Sequence, residues 1–119
     1  MVILQNNDLI VEINENGAEL NRLYHKKTKK EYLWNGDTKF WGRKAPLLFP
    51  IVGKLKDNKM WYNGEEYQMS QHGFARDLPF SIKTLGSDRA VLHCTSSENT
   101  KKVFPFDWSL YCEYSIQGD

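Results

Sequence analysis

Apolar and polar side chains alternate with a two-residue period along much of this chain, and that pattern restricts the fold to antiparallel β-structure. The longest instance lies near the end. Trp108, Leu110, Cys112, Tyr114 and Ile116 fall on one face, and Ser109, Glu113, Ser115 and Gln117 on the other with Tyr111. Phe80 to Leu85 alternates as cleanly, Ser87-Asp88-Arg89 turns, and Ala90 to Thr95 returns. Asn63-Gly64 joins Met60-Trp61-Tyr62 to the run from Glu65 to Met69. Asn-Gly suits the positive φ angles of a type I′ turn, so these runs read as a hairpin.

The N-terminal third follows the same grammar. Val2-Ile3-Leu4 begins a strand, Asn6-Asn7-Asp8 turns it, and Leu9 to Ile13 resumes. Asn14-Glu15-Asn16-Gly17 is a second turn. Ala18, Leu20 and Leu23 lead to Tyr24, His25 to Lys30 forms a charged turn, and Glu31-Tyr32-Leu33-Trp34 reads as the returning strand. Helix signals are almost absent. Roughly nine or ten short strands at hairpin spacing predict a sandwich or large antiparallel sheet, with no helix longer than about two turns. The last strand runs into Gly118-Asp119, which reads as a turn towards a further strand. An edge left open there would be a liability, so residues 1–119 are expected to form the N-terminal part of a longer β domain.

A chain of 119 residues has room for one small domain. Its formal net charge of +1 gives no support to a nucleic-acid, acidic or anionic-membrane partner. The lysines at 26–30 read as a solvated turn. The longest apolar run, Ala45 to Val52, holds two prolines and is far too short to span a bilayer. Cys94 and Cys112 lack metal-ligand spacing, and each sits in a strand-like run where a free thiol behaves as a small apolar residue. With no signal peptide, the expectation is a reduced, cytoplasmic compartment. Four Trp, six Tyr and six Phe suit a β core, and they also suit platforms for the C–H faces of sugars.

Two loop-like stretches concentrate the chemistry. Gln71-His72-Gly73-Phe74-Ala75-Arg76-Asp77 brings an imidazole, a guanidinium, a carboxylate, a glycine and an aromatic ring into seven residues. Upstream, Trp41-Gly42-Arg43-Lys44-Ala45-Pro46-Leu47-Leu48-Phe49-Pro50-Ile51-Val52-Gly53-Lys54 has a stiff, proline-bounded backbone. His72 could donate to a ligand oxygen or cap a turn. Arg76 could reach a cleft with its planar fork or pair with Asp77 at the surface. Arg43 has the same ambiguity, and Trp41 is either a stacking platform or a core or rim residue. His25 reads as a turn residue, His93 as a sheet-face histidine, and Glu65-Glu66 as solvated. There is no Walker motif, Gly-x-Gly-x-x-Gly, zinc spacing or nucleophile elbow. Together the two stretches point to a sugar-binding cleft.

Trp-x-Arg-x-Ala-Pro-Leu-Leu-Phe-Pro-Ile-Val-Gly-Lys, then a hairpin, then Gln-His-Gly-Phe-Ala-Arg-Asp, resembles the aldose 1-epimerase (galactose mutarotase-like) family, in its LacX-type branch. Val103-Phe104-Pro105-Phe106-Asp107 resembles that family's Tyr-Pro-Phe segment. The resemblance covers essentially the whole chain and implies an all-β, large antiparallel supersandwich, here only its N-terminal portion. It implies interconversion of the α and β anomers of a free hexose by acid–base ring opening, with no cofactor or metal. His72, Arg76, Arg43 and Trp41 are the implied sugar-binding residues. Lys54 stands where better-known mutarotases have an Asn-Arg pair, so the pattern departs there. The family's general-acid histidine, in a His-Pro motif, and its general-base glutamate are expected downstream of Asp119; His93 is not followed by proline and does not match. Hexose-6-phosphate 1-epimerase, a non-catalytic carbohydrate-binding sandwich and a β-rich interaction module remain the alternatives.

Overall fold

The computed structural model describes residues 1–119 and consists of nine strands, one single-turn α-helix and two short 3₁₀ turns. Strands β1 (Val2–Gln5), β2 (Leu9–Asn14), β3 (Glu19–His25) and β4 (Lys30–Glu31) form one antiparallel meander. Strands β5 (Lys59–Tyr62) and β6 (Glu65–Gln68) make a separate hairpin. Asn63 and Gly64 at its tip have φ of +48° and +77°, the type I′ geometry expected of Asn-Gly. Strands β7 (Ser81–Leu85), β8 (Arg89–Thr95) and β9 (Ser109–Ser115) form a third antiparallel sheet. All-β architecture and antiparallel pairing are therefore as the alternation predicts.

Alternation also explains where the core lies. Val2 and Leu4 of β1 and Val11 and Ile13 of β2 point to one side of the first sheet, where they are buried. They meet Ala90 and Leu92 of β8, Phe80, and Ala75 from the segment that precedes β7. Leu110, Cys112, Tyr114 and Ile116 of the last alternating run pack against this cluster. Each fully buried Val, Leu or Ile contributes roughly 1.5–3 kcal/mol relative to exposure. Polar ties reinforce the joint: the Gln5 N–H donates to the Ser87 carbonyl at 2.8 Å, and Asn6 Nδ2 to the Gly118 carbonyl at 2.7 Å.

The structure differs from the sequence reading at two places. The expected strand 31–34 shortens to Lys30–Glu31. Oε1 of Glu31 accepts from the Leu23 N–H at 2.9 Å and the Leu33 N–H at 3.2 Å, so a side chain takes a donor that a longer ladder would have used. A helix that the sequence reading lacks, α1 (Glu98–Lys101), starts at Ser97. The Ser97 hydroxyl accepts from the Thr100 N–H at 3.2 Å, and the Thr100 hydroxyl accepts from the Ser97 N–H at 2.9 Å, a reciprocal capping box.

Cys94 lies opposite Leu110 and Cys112 opposite Leu92, so the cysteines are diagonal neighbours across β8 and β9. Diagonal side chains sit about 7–8 Å apart, too far for a disulfide without backbone movement. Both thiols are free, and burial pushes both upward from the ordinary thiol range. Titration with a thiol reagent at pH 8 is expected to be slow in the folded protein and complete after unfolding in urea. Rapid labelling of the folded protein would contradict this packing.

Tyr114 ties β9 to the β2–β3 turn, where its hydroxyl donates to the Ala18 carbonyl at 2.8 Å. Burial pushes this phenol far above the usual tyrosine range, so it remains a neutral donor. Tyr114→Phe keeps the ring and removes one hydrogen bond, which should lower stability by about 0.5–1.5 kcal/mol. A shift in the urea midpoint with unchanged slope is the expected signature.

Candidate functional site

The two loop stretches of the sequence lie against each other. Phe49 and Gly73 form a parallel β-bridge, and the Phe49 carbonyl accepts from the N–H groups of Phe74 at 2.9 Å and Ala75 at 3.1 Å. Four residues further along, Gly53 and His72 grip each other twice. The Gly53 carbonyl accepts the His72 N–H at 2.8 Å, and the Gly53 N–H donates to His72 Nδ1 at 2.8 Å. His72 and Gly73 have φ of +66° and +69°. Histidine is among the few L-residues that enter this left-handed region readily. At Gly73 a side chain is excluded by space as well, since a Cβ there would lie 2.3 Å from the Phe49 carbonyl oxygen.

This double grip sets the chemistry of the imidazole. Nδ1 is occupied as an acceptor, so the proton of the neutral ring resides on Nε2, which becomes a donor. Nε2 lies 3.4 Å from the side-chain nitrogen of Gln71, a second donor to which it cannot bond, and the Gln71 backbone carbonyl accepts from Arg76 Nη2 at 3.1 Å. Gln71 thus lies between the imidazole and the guanidinium and is hydrogen-bonded to the guanidinium alone. Arg76 Nε is buried and has no hydrogen-bond partner, an orphaned donor of the kind that folded proteins rarely leave unmatched.

Aromatic rings hold the loops in place. Phe49 meets Phe74, Phe104 and Trp108 edge-on, at centroid distances of 6.3, 6.4 and 5.2 Å. Phe74 lies 5.8 Å from Trp108, and Phe104 leads through Phe106 to Tyr62 of the hairpin. Such pairs contribute roughly 0.5–1.5 kcal/mol each beyond the area they bury.

Arg76 is fixed from behind by the first sheet. The Gly17 N–H donates to the Leu78 carbonyl at 2.7 Å, and the Phe80 N–H to the Glu15 carbonyl at 2.9 Å. A Cβ on Gly17 would lie 2.5 Å from the Arg76 carbonyl oxygen. That same carbonyl accepts from Arg43 Nη1 at 3.3 Å. Arg43 Nη2 pairs with Asp77 Oδ1, and Arg43 Nη1 lies 3.9 Å from Glu19 Oε2. The other oxygen of Glu19 accepts the N–H groups of Lys44 and Ala45 at 2.8 and 2.9 Å.

The structure therefore brings His72, Arg76 and Arg43 together. Asp77 pairs with Arg43 rather than with its neighbour Arg76. Trp41 is half exposed on the adjoining loop, where its N–H donates to the Asp37 carbonyl at 2.9 Å and its carbonyl accepts from Trp34 Nε1 at 2.8 Å. His93 stacks on Tyr111 at 4.2 Å, as a sheet-face histidine should, and His25 Nδ1 caps its turn by accepting from the Thr28 N–H at 3.2 Å. Concavities of about 320 Å³ beside His93 and about 340 Å³ beside His25 are larger than the one of about 220 Å³ under Gly73 and Phe74, and none of the three is lined by His72, Arg76, Arg43 or Trp41. Sequence reasoning missed Gly53, Gln71 and Glu19 as working parts. The glycine that ends the apolar run was the available signal for the first, and its φ of +88° is what it provides; Glu19 had none.

A model of the family described as aldose 1-epimerase matches residues 1–119. The chain belongs to the aldose 1-epimerase family. It is 26% identical to the plasmid LacX protein of Lactococcus lactis subsp. lactis over 97% of its own length. Among solved structures it is similar to a galactose mutarotase related enzyme from Lactobacillus acidophilus, with a TM-score of 0.95, 35% identity and 97% of this chain covered. A galactose mutarotase-like protein from Lactobacillus casei gives a TM-score of 0.95 at 37% identity, with 98% covered. The chain spans 40% of the LacX protein and 38% and 40% of the two solved chains. No helix is long and apolar enough to cross a membrane.

Gly73 and Gly53 make a controlled pair for this loop geometry. Both have positive φ, but a Cβ on Gly53 would meet nothing within 4 Å. Gly53→Ala should cost only backbone strain, on the order of 1–3 kcal/mol. Gly73→Ala adds the collision with Phe49 and should cost clearly more, as read from the two denaturation midpoints. Equal losses would show that the bridge can spread apart.

Proposed function

We propose that residues 1–119 form the sugar-binding part of an aldose 1-epimerase that interconverts the α and β anomers of a free hexose. One observation supports this most directly: the Gly53 grip occupies Nδ1 of His72 and leaves Nε2 as a donor on the same loop as the Arg76 guanidinium, whose exposed Nη2 reaches the Gln71 backbone carbonyl. Two neutral-ligand donors from a rigid loop suit the ring and hydroxyl oxygens of a sugar. Trp41, half exposed on the adjoining loop, is assigned the stacking face.

The reaction requires one group to protonate the ring oxygen while another removes the proton of the C1 hydroxyl. The ring then opens, C1–C2 rotates, and closure on the other face gives the second anomer. His72 holds the sugar oxygens during this exchange. The proton-transfer pair is assigned to the part of the family fold outside these 119 residues, since the chain spans about two fifths of the relatives' length. Each such role supplies typically about 10²–10⁴-fold in rate. Polarimetry on freshly dissolved α-glucose or α-galactose should therefore show rapid anomerisation by the full-length natural protein and none above background by residues 1–119 alone. Anomerisation by the isolated segment would relocate the acid and base into it.

His72→Asn and His72→Ala separate binding from support. Asparagine tolerates the left-handed backbone and can place an oxygen where Nδ1 accepts the Gly53 N–H, but it lacks the Nε2 donor. His72→Asn is expected to keep the melting temperature and to raise KM or lower kcat/KM by about threefold to tenfold, the equivalent of one hydrogen bond. His72→Ala should lose both stability and turnover. Unchanged kinetics in His72→Asn would make the imidazole a purely structural cap.

A further inference from the structure

We propose that Arg43 is a positioning residue whose ion pair with Asp77, backed by Glu19, fixes the Arg76 turn and leaves the site electrically neutral, so that it takes an uncharged sugar in preference to a sugar phosphate. The inference rests on the sugar-site reading above and deepens it. Arg43 would be an obvious phosphate ligand, because its fork matches phosphate oxygens two at a time. In this structure two of its nitrogens are already engaged by protein oxygens, one of them on the exposed Asp77 carboxylate. One nitrogen serves the Arg76 carbonyl at 3.3 Å, and the other pairs with Asp77.

Charge bookkeeping around the turn leads to the same conclusion. The two guanidinium groups, Arg43 and Arg76, are accompanied by two carboxylates, Glu19 and Asp77. His72 accepts a hydrogen bond at Nδ1 and is therefore the neutral form. The Lys44 amine is turned away to the Asn21 carbonyl at 2.9 Å, and Lys54 is exposed to solvent, where its charge is screened. A phosphate dianion entering beside Arg43 would have to displace Asp77, which would then stand against it as a like charge. An uncharged hexose meets neither cost.

The contacts also explain why Arg43 is positioned where it is. Asp77 closes the 3₁₀ turn Ala75–Asp77, with its N–H donating to the Phe74 carbonyl at 3.0 Å. Holding Asp77 and the Arg76 carbonyl from one guanidinium fixes two points of that turn at once. The Arg76 side chain leaves from between them.

Calorimetric titration of the folded, full-length natural protein with galactose or glucose and with the corresponding hexose 6-phosphate tests the inference. The free sugar should bind at least about tenfold more tightly than its phosphate. Asp77→Asn, isosteric at a side chain that is 57% exposed, should shift that ratio towards the phosphate by about tenfold, because it frees Arg43 and removes the opposing charge. Arg43→Lys keeps the charge but not the fork; it should weaken sugar binding by about tenfold without any gain for the phosphate. The double variant Arg43→Gln/Asp77→Asn should bind sugar no worse than Arg43→Gln alone, the signature of residues acting as one unit. Tighter binding of the phosphate by the wild type, or additive effects in the double variant, would overturn the positioning role while leaving a sugar site intact. Wild-type protein that is folded yet binds neither compound would overturn the sugar-site reading itself, and this inference with it.

Discussion

The carbonyl of Phe49 accepts two successive N–H groups, at 2.9 and 3.1 Å, while Gly73 passes beneath it too closely for any side chain. That contact joins segments more than twenty residues apart, and the rest of the site follows from it. Beside the seated Gly73, His72 has a φ of +66°, and its N–H and Nδ1 face Gly53. Ala75 then turns inward to the core shared by the two larger sheets, where it is fully buried. Arg76 and Asp77 are left facing outward on a single 3₁₀ turn. One backbone contact thus links the hydrophobic core, through Ala75, to the orientation of an imidazole.

Such a contact is weak by itself. A peptide hydrogen bond contributes only about 0.5–1.5 kcal/mol net, and the left-handed backbone of His72 opposes it. What holds the arrangement is redundancy. The aromatic group around Phe49 closes one side, and the Gly17–Leu78 and Phe80–Glu15 hydrogen bonds close the other. Because separate elements converge on the same turn, loosening any one leaves the others in place. On the proposed reading, in which this turn holds a sugar, that stiffness matters because small misplacements of donors are costly in rate.

Strand positions were legible because alternation is a local signal with a fixed period. The run from Trp108 to Ile116 shows its buried face residue by residue, and Asn63-Gly64 announces its own turn. The site was legible only as a neighbourhood. Seven residues around His72 advertise chemistry by type, but Gly53 lies nineteen positions away from its partner and Glu19 more than twenty from Arg43. Contacts of that range depend on how sheets stack, which no local period encodes. The shortened β4 and the helix at Ser97 were missed for a different reason: in both, a side chain replaces a backbone partner, Glu31 in one and Ser97 with Thr100 in the other.

Arg43 shows most sharply what residue type cannot convey. In a list of candidates it is indistinguishable from Arg76, because both are arginines beside proline-bounded or glycine-bearing loops. Only the partners separate them. Arg43 has a carboxylate and a carbonyl within its fork, and a second carboxylate near. Arg76 keeps a buried nitrogen with nothing to bond. A guanidinium already matched by protein oxygens contributes shape, because moving it breaks charge-assisted bonds that a weakly held ligand cannot replace. On the proposed reading the recognition falls to Arg76, whose exposed Nη2 serves a single backbone carbonyl and no carboxylate. The division of labour between the two arginines is thus fixed by which of them the fold has satisfied.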